Sequence, residues 1–497
     1  MSVEPATERK KELRNASNLK AQPFALRPRM IKALFVLVAV DAMVTAAAAR
    51  SFGFTFDDLM NAYWGLKTSW ATLALDALRI WRVSPVYRPV GVAILKLTRA
   101  AFGMNIAGWR FVYGLLFIAA IVLIVLLAQT ISRSWFVALA AGLIMAFHPN
   151  LRWAYFSMGY VYDVGASILV SAFALCCLRL PERFGRTRVT LAVLFFWNAL
   201  ECKEAALAGL PFLFFYQLII EEPLPFPTLR TRLKDLRLFL ILLALSAAFC
   251  YGRITEPNSV IHLAPYQVDL SPARYLSNLK LWLIESALVS NGVIASLVIA
   301  LVFTLAFIRS WRISVWCVSA FLTGILPVAF IPQRGLEALF VPFTALAILA
   351  GLALEEVCAK AAILFAHWTR GDHATAFNAL AACGALAIFI AQGTIAKRVD
   401  DFPFFVAGGS IMPALQALEY YPSPGPKDHI VVESDPFGEN NWSASFLFPL
   451  YFDAPDLEVR RRFNLPPTER DRVAPGWRHV RWTGLQWENV GPVELKP

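Results

Sequence analysis

Charged residues are scarce in this sequence. Lys, Arg, Asp and Glu make up 16% of its 497 residues, while 58% are hydrophobic. A soluble protein typically has about 25% charged and about 45–50% apolar residues, and a single soluble core rarely grows beyond about 250–300 residues. The apolar surplus therefore excludes soluble globular, fibrous and disordered proteins, and it predicts a chain that buries much of its surface in lipid.

Cysteine is also rare, and the patterns that signal common sites are missing. All seven cysteines lie in or beside apolar segments, so no disulfide framework is expected. The Cys and His residues have no zinc-type spacing and form no HExxH motif, which argues against a dedicated transition-metal site. No internal repeat is visible, so an inverted-repeat transporter finds no support.

The net charge of +11 is divided unevenly along the chain. Residues 399–497 contain 9 basic and 14 acidic residues, whereas the first 398 contain 37 basic and 21 acidic ones. The basic excess therefore belongs to the apolar part of the chain. Lys and Arg in loops between apolar segments are typical of cytoplasmic loops, so we expect a lipid bilayer as the partner and no nucleic acid.

The apolar segments predict an all-α polytopic membrane protein with about eleven spans of ~20 residues. The basic stretch 1–30 is predicted to be a cytoplasmic tail, followed by a membrane part over 31–396. An odd number of spans that starts inside ends outside, so 397–497 is predicted to lie in the periplasm of a bacterial inner membrane. The expected spans are 31–50, 107–131, 134–149, 160–179, 188–202, 204–221, 237–252, 290–308, 313–331, 336–355 and 374–396.

Two parts of the chain do not fit simple spans. The outer loop 51–106 mixes acidic and basic residues with Phe, Trp and Leu, which predicts amphipathic helices at the membrane surface. The C-terminal part is predicted to be a small α/β domain, with helices at 403–420 and 442–451 and strands at 428–433, 455–460 and 478–483.

The adjacent carboxylates Asp57 and Asp58 are the strongest candidate catalytic residues. They follow the first predicted span directly, in the sequence Phe54-Thr-Phe-Asp57-Asp58-Leu-Met-Asn61. Two such groups can divide the work of a general base, one accepting a proton from an acceptor hydroxyl and the other orienting it. The alternative is that an Asp caps the helix that starts near Leu59.

Three cations are candidates for binding a phosphate. Arg88 begins an amphipathic stretch, Lys203 interrupts a long apolar run, and Arg334 lies at a late helix junction. Cationic side chains suit phosphate recognition, and the planar guanidinium of Arg can give paired hydrogen bonds. The alternatives are an interfacial Arg88 that contacts only headgroups, a Lys203 that pairs with Glu201 or Glu204, and an Arg334 that anchors a helix end.

Three further residues are candidates for the same pocket. His148 ends the third predicted span, Asp163 lies at the start of the fourth, and Glu204 follows Lys203. Ionisable residues at such positions are functional candidates, because their burial in a membrane is costly. A structural contact between Asp163 and His148 or Arg152 is the alternative.

These features together resemble the GT-C fold glycosyltransferases. The likeness is to the group of dolichyl-phosphate-mannose protein mannosyltransferases and bacterial lipid A aminoarabinose transferases, over roughly residues 30–355. It rests on the order and spacing of weak motifs, namely Asp57-Asp58, Arg88-Pro89 to Phe102-Gly103, His148-Pro149, Lys203-Glu204 and Arg334 to Pro342.

The resemblance implies a membrane enzyme that moves a sugar from a polyprenyl-phosphate donor to an acceptor on the outer face. It implies that Asp57 is the base and Asp58 its helper, and that Lys203 and Arg334 contact phosphate. The acceptor, whether protein, lipid or glycan, is left open. A donor that is a phosphate monoester permits a divalent cation without requiring one, so no metal or other cofactor is expected to be essential.

Two other functions compete with this interpretation. A transporter or flippase for a lipid-linked or anionic substrate also explains charges near the membrane, although its ionisable groups are expected near the midplane. A structural membrane subunit predicts that Asp57 can be replaced without biochemical effect.

Overall fold

A computed structural model of the chain describes most of the membrane part and the C-terminal part. It covers residues 53–81, 88–151, 153–179, 185–220, 229–256, 266–332, 334–369, 375–381, 411–425, 428–437, 442–462 and 477–490, with isolated positions between them. The predicted tail 1–30, nearly all of the first span and most of the last span lie outside the described residues, as does the first part of the predicted helix 403–420.

Within that part, five helices are long and apolar enough to cross a membrane. They are α4 (Ile106–Ser132), α6 (Val161–Arg179), α9 (Leu229–Thr255), α11 (Gly292–Arg309) and α13 (Phe340–Thr369). Two shorter apolar helical stretches lie in the described part, α5 (Trp135–Phe147) and Glu204–Ile220, which contains α8 (Gly209–Phe215). Helices α7 (Gly185–Cys202) and α12 (Trp311–Gly324) lie in the same part of the chain. Together with a small C-terminal sheet, they confirm the prediction of a helical polytopic membrane protein.

The outer loop forms three short helices, α1 (Phe56–Lys67), α2 (Trp70–Leu78) and α3 (Pro89–Phe102). Helix α2 buries Asp76 and exposes Trp70 and Leu78. A surface helix in water exposes its charged residues and buries its large apolar ones. The opposite arrangement in α2 suits a helix whose exposed face contacts lipid.

The long apolar run around Lys203 is broken into two helical segments. Helix α7 ends at Cys202, and Lys203 has an extended backbone with φ −162° and ψ 149°. A 3₁₀ turn over Glu204–Ala208 then leads into α8. A single helix through this region is therefore excluded, as the charges in the sequence predicted.

Helix α10 (Pro272–Ala287) was missed by the sequence analysis. It is amphipathic, and the hydroxyl of Ser271 accepts a hydrogen bond from the Arg274 N–H, which caps its start. The helix lies between α9 and α11 in the chain and packs beside the helix junction that carries Arg334.

The C-terminal part contains a four-stranded sheet and the helix α14 (Ser443–Tyr451). The strands are β1 (His429–Ser434), β2 (Glu458–Arg461), β3 (Arg478–Trp482) and β4 (Trp487–Val490), in the order β2-β1-β3-β4. Strand β1 is parallel to β2 and β3, and β3 is antiparallel to β4. The three predicted strands and the predicted helix 442–451 are confirmed; β4 was not predicted.

Helix α14 packs directly on α1. The rings of Tyr63 and Phe446 lie 5.5 Å apart. Arg99 of α3 forms an ion pair with Asp453 at 2.8 Å and donates a hydrogen bond to the carbonyl of Leu450 at 3.1 Å. The C-terminal part therefore lies on the same side of the membrane helices as the outer loop.

Candidate active site

A cavity of about 290 Å³ lies where the outer helices meet the ends of several membrane helices. Its wall includes six of the residues that the sequence analysis singled out, although they come from five separate segments. The lining residues are Asp57, Met60, Asn61, Arg88, Gly159, Tyr160, Tyr162, Asp163, Lys203, Glu204, Tyr266, Pro327, Val328, Ile331, Arg334, Glu337 and Ala338. Asp58 and His148 are not among them.

Asp58 caps helix α1 from its buried side. Thr55 is the N-cap residue, and the Asp58 carboxylate accepts a hydrogen bond from the Thr55 N–H at 2.8 Å. The same carboxylate accepts bonds from the Ser157 hydroxyl at 3.0 Å and the Gly159 N–H at 2.6 Å. These bonds satisfy both carboxylate oxygens, so Asp58 completes a capping box with Thr55 and does not reach the cavity. The helix begins at Phe56 rather than near Leu59, and its N-cap is Thr55 rather than an Asp.

Asp57 points the other way and lines the cavity. Burial, and after it the negative charge of the neighbouring Asp58, raise the pKa of its carboxyl to about 6, against the opposite effect of Lys203 and Arg334. A carboxyl with a pKa near 6 can accept a proton at neutral pH more readily than an ordinary Asp, because it is a stronger base. Asp57 therefore has both the location and the basicity of a general base.

Arg88 is held against Glu204 at the N-terminus of α3. Its guanidinium lies 3.0 Å from the Glu204 carboxylate and 5.1 Å from the centre of the Tyr162 ring. The Tyr162 hydroxyl in turn donates a hydrogen bond to the Asn61 side chain at 2.8 Å. Asn61 donates to the Asp57 carbonyl at 2.8 Å, so one polar network links Arg88 to the helix of the candidate base.

Lys203 pairs with Asp163 rather than with an acid on its own segment. Its ammonium lies 2.5 Å from the Asp163 carboxylate and 5.7 Å from the centre of the Tyr160 ring. Only 4% of the Asp163 side chain is exposed. The ion pairs with Glu201 or Glu204 that were considered from the sequence are therefore not the ones formed.

Arg334 and Glu337 also line the cavity. The guanidinium of Arg334 is 4.4 Å from the centre of the Tyr266 ring. A cation over the face of an aromatic ring is attracted by it, and this contact restrains the guanidinium. Asp57 and Arg334, both candidates from the sequence, line the same cavity.

His148 belongs to a different contact. It is buried at the end of α5, with its ring 5.1 Å from that of Phe343 and its Nε2 3.3 Å from the Ser286 carbonyl oxygen. It packs between the ends of α5, α10 and α13 and does not contact Asp163. Among the described residues, no group of three or more His, Cys, Asp and Glu side chains is arranged to hold a metal ion.

Six of the seventeen cavity residues were candidates from the sequence, and the others, among them Asn61, Glu337 and Tyr266, were not. Asn61 follows Asp57 by one helical turn, and this spacing was a usable signal. Glu337 lies three residues after Arg334, within the stretch Arg334 to Pro342 on which the resemblance rests. Tyr266 lies in a segment that matched no predicted span, and nothing in its local sequence indicated that it would reach Arg334.

Comparison with known proteins identifies the fold. No protein-family model matches the sequence, and no curated protein matches it. The structure is similar to ArnT from Cupriavidus metallidurans bound to undecaprenyl phosphate, with a TM-score of 0.52 and 13% identity over 85% of each chain. For the apo state of that ArnT, the TM-score is 0.51 and the identity 12%, over 90% of this chain and 93% of the other.

A third similar structure is the archaeal oligosaccharyltransferase AglB from Archaeoglobus fulgidus, in complex with an inhibitory peptide and a dolichol-phosphate. The TM-score is 0.50 and the identity 12%, over 90% of this chain and 69% of the other. ArnT and AglB both have the GT-C fold. The chain therefore has this fold, as its sequence resemblance implied.

Proposed function

We propose that this protein is a membrane glycosyltransferase that transfers a sugar from a polyprenyl-phosphate donor to an acceptor on the extracytoplasmic face. The observation that carries the proposal is the convergence of Asp57 with Arg88, Lys203 and Arg334 on one cavity. The fold adds support, since the similar ArnT and AglB structures contain undecaprenyl phosphate and a dolichol-phosphate.

The proposed reaction needs a base and a cationic site for the leaving phosphate. Asp57 accepts the proton of the acceptor hydroxyl while the acceptor oxygen attacks the anomeric carbon of the sugar. The bond between that carbon and the phosphate oxygen breaks, and polyprenyl phosphate leaves with the electron pair. Arg334 and Lys203 stabilise the charge that develops on the phosphate.

The roles of the remaining polar groups follow from their contacts. Arg88 is already paired with Glu204, so a phosphate that contacts Arg88 shares its guanidinium with that carboxylate. Asp163 holds Lys203 in the cavity. The proposed reaction requires no metal, and a divalent cation bound with the phosphate is compatible with it. The sugar and the class of acceptor stay open.

The same proposal assigns a location. The N-terminus is cytoplasmic and the C-terminal part is periplasmic, in a bacterial inner membrane. The basic residues that precede the first predicted span support the cytoplasmic N-terminus. The contact of α14 with α1 supports a common side for the C-terminal part and the cavity.

The test is the release of free polyprenyl phosphate. Purified protein in lipid nanodiscs is incubated with a panel of radiolabelled polyprenyl-phosphate sugars and with extracted envelope acceptors. We expect release with one donor, and its loss in Asp57→Asn. Asp456→Asn is the control, because Asp456 is an exposed carboxylate in the C-terminal part. Movement of intact lipid across proteoliposomes without cleavage would contradict the proposal and establish a transporter.

A further inference from the structure

The segment that carries Arg334 is held through its backbone by one face of helix α10. Asn278 donates hydrogen bonds to the carbonyls of Ala329 at 2.9 Å and Ile331 at 3.0 Å. The indole N–H of Trp282 donates to the carbonyl of Arg334 itself at 2.8 Å.

Two more bonds extend the same contact. The Glu285 carboxylate accepts a hydrogen bond from the Leu336 N–H at 2.6 Å. Before the start of α10, the Asp269 N–H donates to the carbonyl of Phe330 at 2.7 Å. The segment from Ala329 to Leu336 is therefore bonded on both sides of Arg334.

The three side chains follow the spacing of one helix face. Asn278, Trp282 and Glu285 are separated by four and three residues, so they line up along α10. Asn278 is 2% exposed and Trp282 is fully buried. Burial of polar groups is costly unless their hydrogen bonds are made, so these residues fix the backbone of the segment strongly.

Fixing the backbone matters because an arginine side chain is long and loses much rotamer freedom when it is ordered. Tyr266, which lies on the chain just before α10, has the guanidinium of Arg334 over its ring. The same stretch of sequence therefore holds both ends of Arg334, its carbonyl through Trp282 and its guanidinium through Tyr266.

We infer that Trp282 is a positioning residue for the anionic end of the ligand: helix α10 sets the position from which Arg334 binds a lipid-linked phosphate. The inference rests on the proposed function, since it takes Arg334 as a phosphate contact. Helix α10 contributes no charged side chain to the cavity lining. It acts on Arg334 through the indole N–H of Trp282.

The experiment measures the binding of undecaprenyl phosphate to the full-length protein in nanodiscs. Trp282→Phe removes the N–H and keeps most of the ring volume. Loss of one hydrogen bond to the Arg334 carbonyl is expected to weaken binding about five- to tenfold, and Arg334→Gln about ten- to a hundredfold. In the double variant, binding should equal that of Arg334→Gln alone, because Trp282 acts through Arg334.

Trp316→Phe is the matched control. Trp316 is also buried, and its indole N–H donates to a backbone carbonyl, that of Phe212, at 3.0 Å. That bond lies away from the cavity, so Trp316→Phe should lower the thermal stability to a similar extent while binding stays unchanged. If Trp282→Phe does not fold, Glu285→Gln weakens the neighbouring bond to Leu336 and should reduce binding severalfold.

Three outcomes would overturn the inference. One is that the effects of Trp282→Phe and Arg334→Gln multiply in the double variant. Another is that Trp316→Phe weakens binding as much as Trp282→Phe does, and the third is that Arg334→Gln binds normally. Because the probe is a lipid phosphate without a sugar, a protein that binds it as expected but cleaves no donor would contradict the transferase proposal and leave the positioning role intact.

Discussion

The ammonium of Lys203 lies 2.5 Å from the carboxylate of Asp163, inside the cavity that Asp57 and Arg334 also line. The pair joins the break between α7 and α8 to the first turn of α6. A phosphate that binds Lys203 must therefore share it with Asp163. The pair holds the cation in place before the ligand arrives, which reduces the reorganisation that binding requires.

Lys203 and Asp163 should each be costly to remove alone. Lys203→Met leaves the Asp163 carboxylate buried without its cation, and such losses typically cost about 3–5 kcal/mol of stability. The double variant Lys203→Met, Asp163→Asn should regain most of this stability without regaining donor binding. Thermal unfolding and binding of undecaprenyl phosphate measure the two effects separately. Equal stability of the single and double variants would contradict the ion pair.

Asp57 should set the acidic limb of the pH–rate profile. Its pKa is raised to about 6 by burial and by the neighbouring Asp58, and only the ionised carboxylate accepts a proton. Turnover should therefore rise with pH through a midpoint near 6 and then level off. In Asp57→Asn the rate should fall by about 10²–10⁴-fold. The measurement is kcat/KM against pH with the donor identified above; a midpoint near the ordinary Asp value would contradict the prediction.

Asp57→Asn should also stabilise the fold at neutral pH, in contrast to its effect on turnover. A carboxyl whose pKa is higher in the folded than in the unfolded state destabilises the fold once it ionises. A rise from 3.8 to about 6 corresponds to at most about 3 kcal/mol. The gain should be present at pH 8, shrink as the pH falls below about 6 and vanish below about 4. Thermal unfolding at several pH values measures it, and a variant that is less stable at pH 8 would indicate a structural role.

Asp58 should behave differently from its neighbour. Asp58→Asn can no longer accept all the bonds from Thr55, Ser157 and Gly159, so we expect a loss of about 1–3 kcal/mol of stability. Residual activity should remain. Removal of the adjacent negative charge also lowers the pKa of Asp57, so the acidic limb should move to lower pH. A complete loss of turnover in well-folded Asp58→Asn would instead assign Asp58 a direct chemical role.

Local signals in the sequence predicted the elements that carry the site but not their pairing. The cap at α1 and the break at Lys203 both follow from polar residues in apolar surroundings. The partner of Lys203 could not be read from its neighbours, because Lys203 lies in the extended break after α7, and the contact with Asp163 arises only when α6 packs against α7.

Neither the contacts of helix α10 nor the helix itself was predicted from the sequence. Its sequence mixes polar and apolar residues, so it does not have the hydrophobicity pattern of a membrane span. Asn278 and Trp282 use their polar atoms to hold the backbone of a distant segment, and this role depends on tertiary packing alone. The Ser271-Pro272 start of the helix was a usable local signal, but nothing in it indicated a contact with Arg334.

The side of the membrane is the last prediction, and it bears on every role assigned to the cavity. Tyr420 is 83% exposed, on the C-terminal part that contacts the outer loop through Arg99 and Asp453. Arg186 is exposed at the start of α7, on the side predicted to be cytoplasmic. In a variant with all seven cysteines replaced, a membrane-impermeant maleimide added to intact spheroplasts should label Tyr420→Cys and spare Arg186→Cys.

Permeabilised cells provide the control, since both positions should then react. Labelling of Arg186→Cys alone in intact spheroplasts would show that the cavity opens toward the cytoplasm. It would contradict transfer on the outer face. The result is independent of the sugar and the acceptor, because it depends only on the contact between α14 and α1 and on the number of membrane crossings that separate position 186 from position 420.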